Sequence, residues 1–185
     1  MDKVKKVILL CHCVINEKSK VKKVDINPPG DIKEFINLLI DNEIGIIQLP
    51  CPELTCYGLK RWGHVKEQFD TLYYRKICRE LFQPYLEQIQ EYLANNYKIV
   101  GLVGIEGSPT CGVYRTCSGK WGGQLGNNPY LQDTLNTITL AEESGILIDE
   151  IKNILNKNNI SFPLIDFNKN DMTTFMDKIK PIIEQ

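Results

Sequence analysis

No apolar run in the sequence approaches the 18 or more residues of a membrane-spanning helix, which excludes a helical membrane protein. There is no excess of either charge: Lys+Arg is 22 and Asp+Glu is 23, so a strongly basic nucleic-acid binder is excluded on bulk charge. The start, MDKVKKVILLCHCV, lacks a small-residue cleavage site and reads as a first strand, not as a secretory signal. Repeats, low-complexity tracts and linkers are missing too, and 185 residues suit one domain, spanning 1–185, better than two. Histidine is scarce, with two in the chain, whereas cysteine is plentiful, with seven. An odd count without a secretory mark excludes a disulfide scaffold, and no CxxC spacing points to a thioredoxin-like couple. The expected compartment is the reducing cytoplasm, where such thiols are core, metal ligands or catalytic groups. With 43% hydrophobic and 24% charged residues, the chain can build a full core.

The hydrophobic pattern predicts alternating strands and helices. Val4 to Cys13 reads as a buried strand, and Asn16 to Pro29 as a polar loop carrying Lys18, Lys20, Lys22 and Lys23. Asp31 to Asn42 reads as a helix, with Asp31 and Glu34 spaced as a capping box and Ile32, Phe35, Ile36 and Leu39 on one face. Ile44 to Leu49 is a second buried strand, and Pro52 to Gly63 a loop. Val65 to Asn95 is helical in pattern, with Pro84 predicting a kink or a restart. Lys98 to Ile105 is a third strand, and residues 113–133 read as an ordered loop. Residues 134–158 read as mostly helical, Phe162 to Phe167 as a last strand and Met172 to Ile183 as a terminal helix. The order predicts a three-layer, Rossmann-like α/β domain with a mostly parallel sheet, whose ligands gather at the carboxyl ends of the strands.

That rule gives the cysteine positions meaning. Strand one is expected to end at Cys13, strand two at Cys51, and strand three to run into a turn with Cys111. They are 38 and 60 residues apart, yet the topology brings them to one sheet edge. Three convergent thiolates form a metal or cluster site that lacks a fourth protein ligand. Structural zinc is normally closed by a fourth ligand, whereas an iron–sulfur cluster on three cysteines keeps one iron open. Cys11 is expected on the same face as Cys13, and His12, between them, on the other. Cys78 reads as core, and Cys56 and Cys117 lie in the site loops without an assigned role.

Cys13-Val-Ile-Asn16, Cys51-Pro-Glu53 and Ser108-Pro-Thr-Cys-Gly112, each after a strand, together resemble the thiouracil desulfidase family over most of the first two-thirds of the chain. The resemblance implies a [4Fe-4S] cluster bound by Cys13, Cys51 and Cys111 with one open iron. It implies a non-redox hydrolysis that replaces the sulfur of a thiolated pyrimidine base, nucleoside or nucleotide by oxygen and releases hydrogen sulfide. The family's Cys-Leu-Leu-Gly is Cys13-Val-Ile-Asn here. Its arginine-tyrosine-aspartate stretch is Glu17-Lys-Ser-Lys-Val, and its Pro-Arg segment is Gly58-Leu-Lys-Arg-Trp-Gly63. The chain resembles a divergent branch that keeps the cluster motifs and changes the segments expected to meet substrate.

Water addition needs a base and collapse needs a proton donor. Glu53 and Glu106, beside the ligands, are the candidates, with Glu53 favoured by its tight Cys-Pro-Glu turn. Ser108 is a third candidate, by resemblance to a functional serine in the family's turn. Asn16, Thr110, Arg61, Arg115, Lys120 and Trp121 are the candidate substrate contacts: arginines and lysine for a phosphate, tryptophan to stack on a pyrimidine. Lys60 and Trp62 share those roles, and Gly122, Gly123 and Gly126 permit close backbone approach. His64 is a candidate acid/base group or ligand. Two other classes stay open: a cysteine-nucleophile hydrolase using Cys111 with His64, and a non-catalytic zinc or iron–sulfur module. The expected partner is a small molecule, with no membrane, no stable nucleic-acid partner, and a homodimer as the assembly considered.

Overall fold

The most apolar stretches of the chain become the inner strands of one sheet. The computed structural model describes residues 4–21 and 32–184. Strand β1 (Lys6–Leu10) lies between β2 (Gly45–Gln48) and β3 (Lys98–Ile105), and β6 (Leu164–Phe167) pairs with the far side of β3. All four strands are parallel, in the order β2-β1-β3-β6. Val7 to Leu10 of β1 and Ile99 to Gly104 of β3 are buried without alternation, as expected for strands covered on both faces. The edge strand β6 alternates instead, burying Ile165 and Phe167.

Two helix layers do the covering. Helix α2 (Lys33–Asp41) packs on α8 (Met172–Glu184), and α5 (Leu72–Ala94) packs on α7 (Ile146–Lys157). Helix α5 buries Tyr74, Cys78, Phe82, Leu86 and Ile89, a stripe at helical spacing, so Cys78 is core. Edge-on rings join α2, α8 and β6: Phe35 to Phe175 at 4.9 Å, and Phe175 to Phe167 at 5.0 Å. Phe35 and Leu39 of α2 are buried and Ile32 and Ile36 pack beside them, as the periodicity predicts. Among the described residues no helix is long and apolar enough to cross a membrane.

Several expected boundaries move. Strand β1 stops at Leu10, and Cys13 sits in a short helix, α1 (His12–Ile15), so Cys11 and Cys13 do not share a strand face. The cause is the tight turn from strand into helix after Cys11, whose N–H still bonds Val103 O at 2.9 Å. A 3-10 turn follows at Glu17–Ser19. The proposed 52–63 loop opens as helix α3 (Pro52–Tyr57), because Pro52 stands at the first helical position, where its missing N–H costs nothing. The break expected at Pro84 does not occur. It lies after α4 (Lys66–Phe69), where the Thr71 hydroxyl accepts the Tyr74 N–H at 3.1 Å and starts α5, which runs unbroken through Pro84. The expected loop and helix across 113–158 contain β4 (Thr116–Ser118), α6 (Leu131–Asn136) and β5 (Thr139–Ala141), with β4 and β5 forming an antiparallel pair. Ile32, with no side-chain cap, precedes α2; Asp31 of the capping box, Lys22 and Lys23 lie outside the described residues.

The turn that carries Cys111 is clamped from three sides. Ile105 N–H bonds Cys111 O at 3.0 Å, and the Asp166 carboxylate takes the N–H groups of Val113 and Tyr114 at 2.7 and 2.8 Å. The carbonyls of Pro109, Thr110 and Gly112 accept the N–H groups of Ile146, Leu147 and Gly145, which serve the otherwise orphaned amides opening α7. A Cβ on Gly104 would lie 2.2 Å from Cys111 O and 2.7 Å from Val113 Cγ2. Gly104→Ala is therefore expected to destabilise the fold by about 1–3 kcal/mol or more, through strain at this contact. Urea unfolding at unchanged m checks it.

Candidate functional site

The chain leaves β1 toward β2 on one side and reaches β3 on the other, so a crevice opens at the carboxyl ends of these strands. A cavity of about 290 Å³ lies there, and Cys13, Cys51 and Cys111 all line it. Cys13 comes from α1 and Cys51 from the residue capping α3, where its Sγ accepts the Leu54 N–H at 3.4 Å. Cys111 comes from the clamped turn. The three expected thiols are thus brought to one wall, by short helices and a turn in place of strand ends.

Their environments differ. The Cys13 thiol interacts with that of Cys51 and lies 3.2 Å from the Ser19 hydroxyl. Hydrogen bonding from Cys51, helped by Ser19 and opposed by burial, brings Cys13 down to about 7. Cys51 is pushed up by sharing that contact and then by burial. Cys111 is pushed well up, first by its contact with Cys11 and then by burial. Cys11, wholly buried behind the wall, is thus a neighbour of Cys111. Cys111 and His64 both line the cavity, and no hydrogen bond joins them among the described residues. Cys117 of β4 also lines the cavity, and Cys56 of α3 is exposed.

The two candidate carboxylates share the wall but not the same freedom. Glu53, 14% exposed, receives Arg61 Nε at 3.1 Å on Oε2. Its Oε1 has no hydrogen bond among the described residues. Glu106, 20% exposed, has both oxygens occupied: Oε1 by Arg115 Nη1 at 3.1 Å and Oε2 by the Asn168 side-chain amide. Ser108 Oγ accepts the N–H groups of Thr110 and Cys111 at 3.3 and 3.0 Å. With its lone pairs engaged, its proton is free to be donated into the cavity.

Arg61 reaches the wall but is buried and bonded inward, through Nη1 to Gly58 O at 2.9 Å and Nη2 to Ser19 O at 2.8 Å, besides Glu53. It fixes Glu53 against α3 and the 3-10 turn. Arg61→Lys cannot satisfy these partners from one ammonium. It is expected to lower stability by about 1–3 kcal/mol through the unpaired buried groups; a thermal melt against wild type reads this.

The remaining expected contacts scatter. Arg115 lines a neighbouring cavity of about 460 Å³ that shares Glu106. Thr110 is wholly buried with its hydroxyl 3.0 Å from Tyr74 OH, away from the cavity wall. Asn16 is exposed and bonds His12 Nε2 at 3.1 Å. Lys120 is exposed and Trp121 half-buried, and neither lines the cavity; nor do Lys60 and Trp62, both exposed. Gly122, Gly123 and Gly126 are exposed in open space. His64 lies on the wall. One wall group, Lys20, was expected only as part of a lysine-rich patch open to an anionic substrate, and one residue behind the wall, Ser19, was not expected at all. Lys20 is held below its ordinary value by burial, against Glu17 at 3.5 Å, and Ser19 sits just behind Cys13. Their only signal was the lysine-rich composition after the first motif.

Among the described residues no three His, Cys, Asp or Glu side chains converge on a point as a single metal ion requires. Cys13, Cys51 and Cys111, with Cys117, line one cavity, and these thiols are the residues that would hold an iron–sulfur cluster. The donor set is all sulfur, the type such clusters select.

The sequence profile of a family described as putative 2-thiouracil desulfurase matches residues 6–125. An uncharacterised protein of Methanocaldococcus jannaschii is 32% identical over 182 residues, covering 97% of this chain and 98% of that protein. No solved structure matches the chain.

Proposed function

Because the chain belongs to the family of putative 2-thiouracil desulfurases, we propose that it hydrolyses the C=S bond of a thiolated pyrimidine to C=O and hydrogen sulfide. The observation that carries this reading is the wall on which Cys13, Cys51 and Cys111 meet Glu53 around one open cavity. These three cysteines would hold a [4Fe-4S] cluster. When bound, such a cluster supplies an open iron, a Lewis acid toward a thione sulfur.

The chain's own residues supply the rest. Glu53 Oε1 is free to take a proton from water as the oxygen adds to the C=S carbon, and Arg61 keeps the carboxylate aimed. Ser108 donates a hydrogen bond from its hydroxyl to a pyrimidine acceptor. The Lys20 ammonium provides positive charge for an anionic pyrimidine or its phosphate. A cavity of about 290 Å³ suits a base-sized head group. Substrates in this reading are a thiouracil, a thiouridine or its monophosphate, with the enzyme working in the cytoplasm.

The test is product analysis under anaerobic turnover in ¹⁸O-labelled water. Equimolar sulfide and a labelled carbonyl product from 2-thiouracil, thiouridine or its monophosphate are expected. Absence of sulfide from all three overturns the reading.

A further inference from the structure

Hydrolytic desulfidation moves protons from oxygen to sulfur, and Glu53 is one carrier for them. C=S plus water gives C=O plus hydrogen sulfide, so both O–H bonds of the water break and two S–H bonds form, with no net electron transfer. Two protons cross from oxygen to sulfur in each turnover. Glu53 has one carboxylate oxygen without a hydrogen bond among the described residues and carries one proton at a time.

His64 is built as the other carrier. Its Nδ1 lies 2.7 Å from Trp62 O, and a carbonyl only accepts, so Nδ1 bears the hydrogen. In the neutral ring Nε2 then holds the lone pair. Among the described residues Nε2 has no hydrogen-bond partner. The ring packs at one corner of an aromatic cluster: Phe69 at 4.9 Å and 25°, Tyr57 at 5.6 Å and 28°, with Tyr57 and Phe69 themselves 5.5 Å apart. Phe69 stacks in turn on the buried Tyr74 at 4.7 Å and 15°. A solvated histidine has no use for this support. The same ring lines the cavity with the three thiols and Glu53.

Resting on the desulfidase reading, we propose that His64 is a proton-transfer residue of the reaction. Glu53 takes the first water proton as the C–O bond forms and the C=S π pair moves to sulfur. His64 Nε2 takes the second from the resulting C–OH as the carbonyl forms and the C–S bond breaks with its pair on sulfur. Both carriers then give their protons to the departing sulfur, which leaves as hydrogen sulfide and restores neutral His64 and ionised Glu53.

The test uses anaerobically purified holoenzyme with His64→Phe, which keeps the stacked ring, and His64→Gly. Iron content and KM are expected to stay near wild type in His64→Phe, while kcat falls by about 10²-fold or more. Added imidazole is expected to restore part of the His64→Gly rate and none of the His64→Phe rate, whose site is filled. His64→Phe turning over at the wild-type kcat overturns the inference alone. So does a loss of rate matched by loss of iron in both variants without imidazole rescue, which marks a structural residue. Wild-type protein that releases no sulfide overturns the desulfidase reading and this inference together.

Discussion

Serine in place of Cys13, Cys51 or Cys111 is expected to strip the anaerobically purified protein of its iron and of sulfide release, each substitution alone sufficing. The reason is the number of donors. Cys13, Cys51 and Cys111 line the cavity where β1, β2 and β3 end, whereas Cys117, which also lines it, comes from the separate β4, and among the described residues no group of three His, Cys, Asp or Glu side chains is arranged to hold a metal ion in their place. Serine is close to isosteric with cysteine, but its hydroxyl is a poor ligand for iron in a sulfur site. The loss reflects ligation and not unfolding if Cys56→Ser, on the exposed side of α3, keeps wild-type iron and activity. Circular dichroism and iron analysis read both outcomes. Full iron in all three ligand variants would refute the assignment.

Glu53→Gln is expected to lower kcat by about 10²–10⁴-fold while iron stays bound, because it removes a wall carboxylate whose Oε1 is unoccupied among the described residues. Gln keeps the shape and a carbonyl oxygen for Arg61, so the side chain's position should survive. Glu106→Gln should cost far less, since both oxygens of Glu106 already serve Arg115 and Asn168. Steady-state kinetics of the two variants with sulfide detection makes the comparison. If Glu106→Gln stops turnover and Glu53→Gln does not, the roles are reversed.

The sheet was readable because its inner strands are short apolar runs rich in Val, Ile and Leu, and such runs have few alternatives in a chain that alternates them with helices. From that topology the gathering of Cys13, Cys51 and Cys111 followed, and Glu53, Glu106 and Ser108 came with them as chain neighbours. What the pattern could not carry was the local chemistry after each strand. Cys13 and Cys51 enter short helices, α1 and α3, whose four and six residues are too brief to show a period. The β4–β5 pair escaped because three-residue strands carry no alternation. Side-chain direction was equally hidden. Arg61 and Arg115 look alike as loop cations, yet one is bonded inward to Glu53, Gly58 and Ser19 while the other faces a second cavity. Thr110 sits next to a ligand but turns toward Tyr74.

The most direct measurement is the metal and sulfide content of protein purified without oxygen, with turnover of 2-thiouracil followed as the iron loading is varied. The expected result is about four irons and about four acid-labile sulfides per chain, with sulfide release rising in proportion to loading. Zinc without iron, or undiminished turnover after the iron is chelated away, would contradict a three-thiol cluster as the seat of the chemistry.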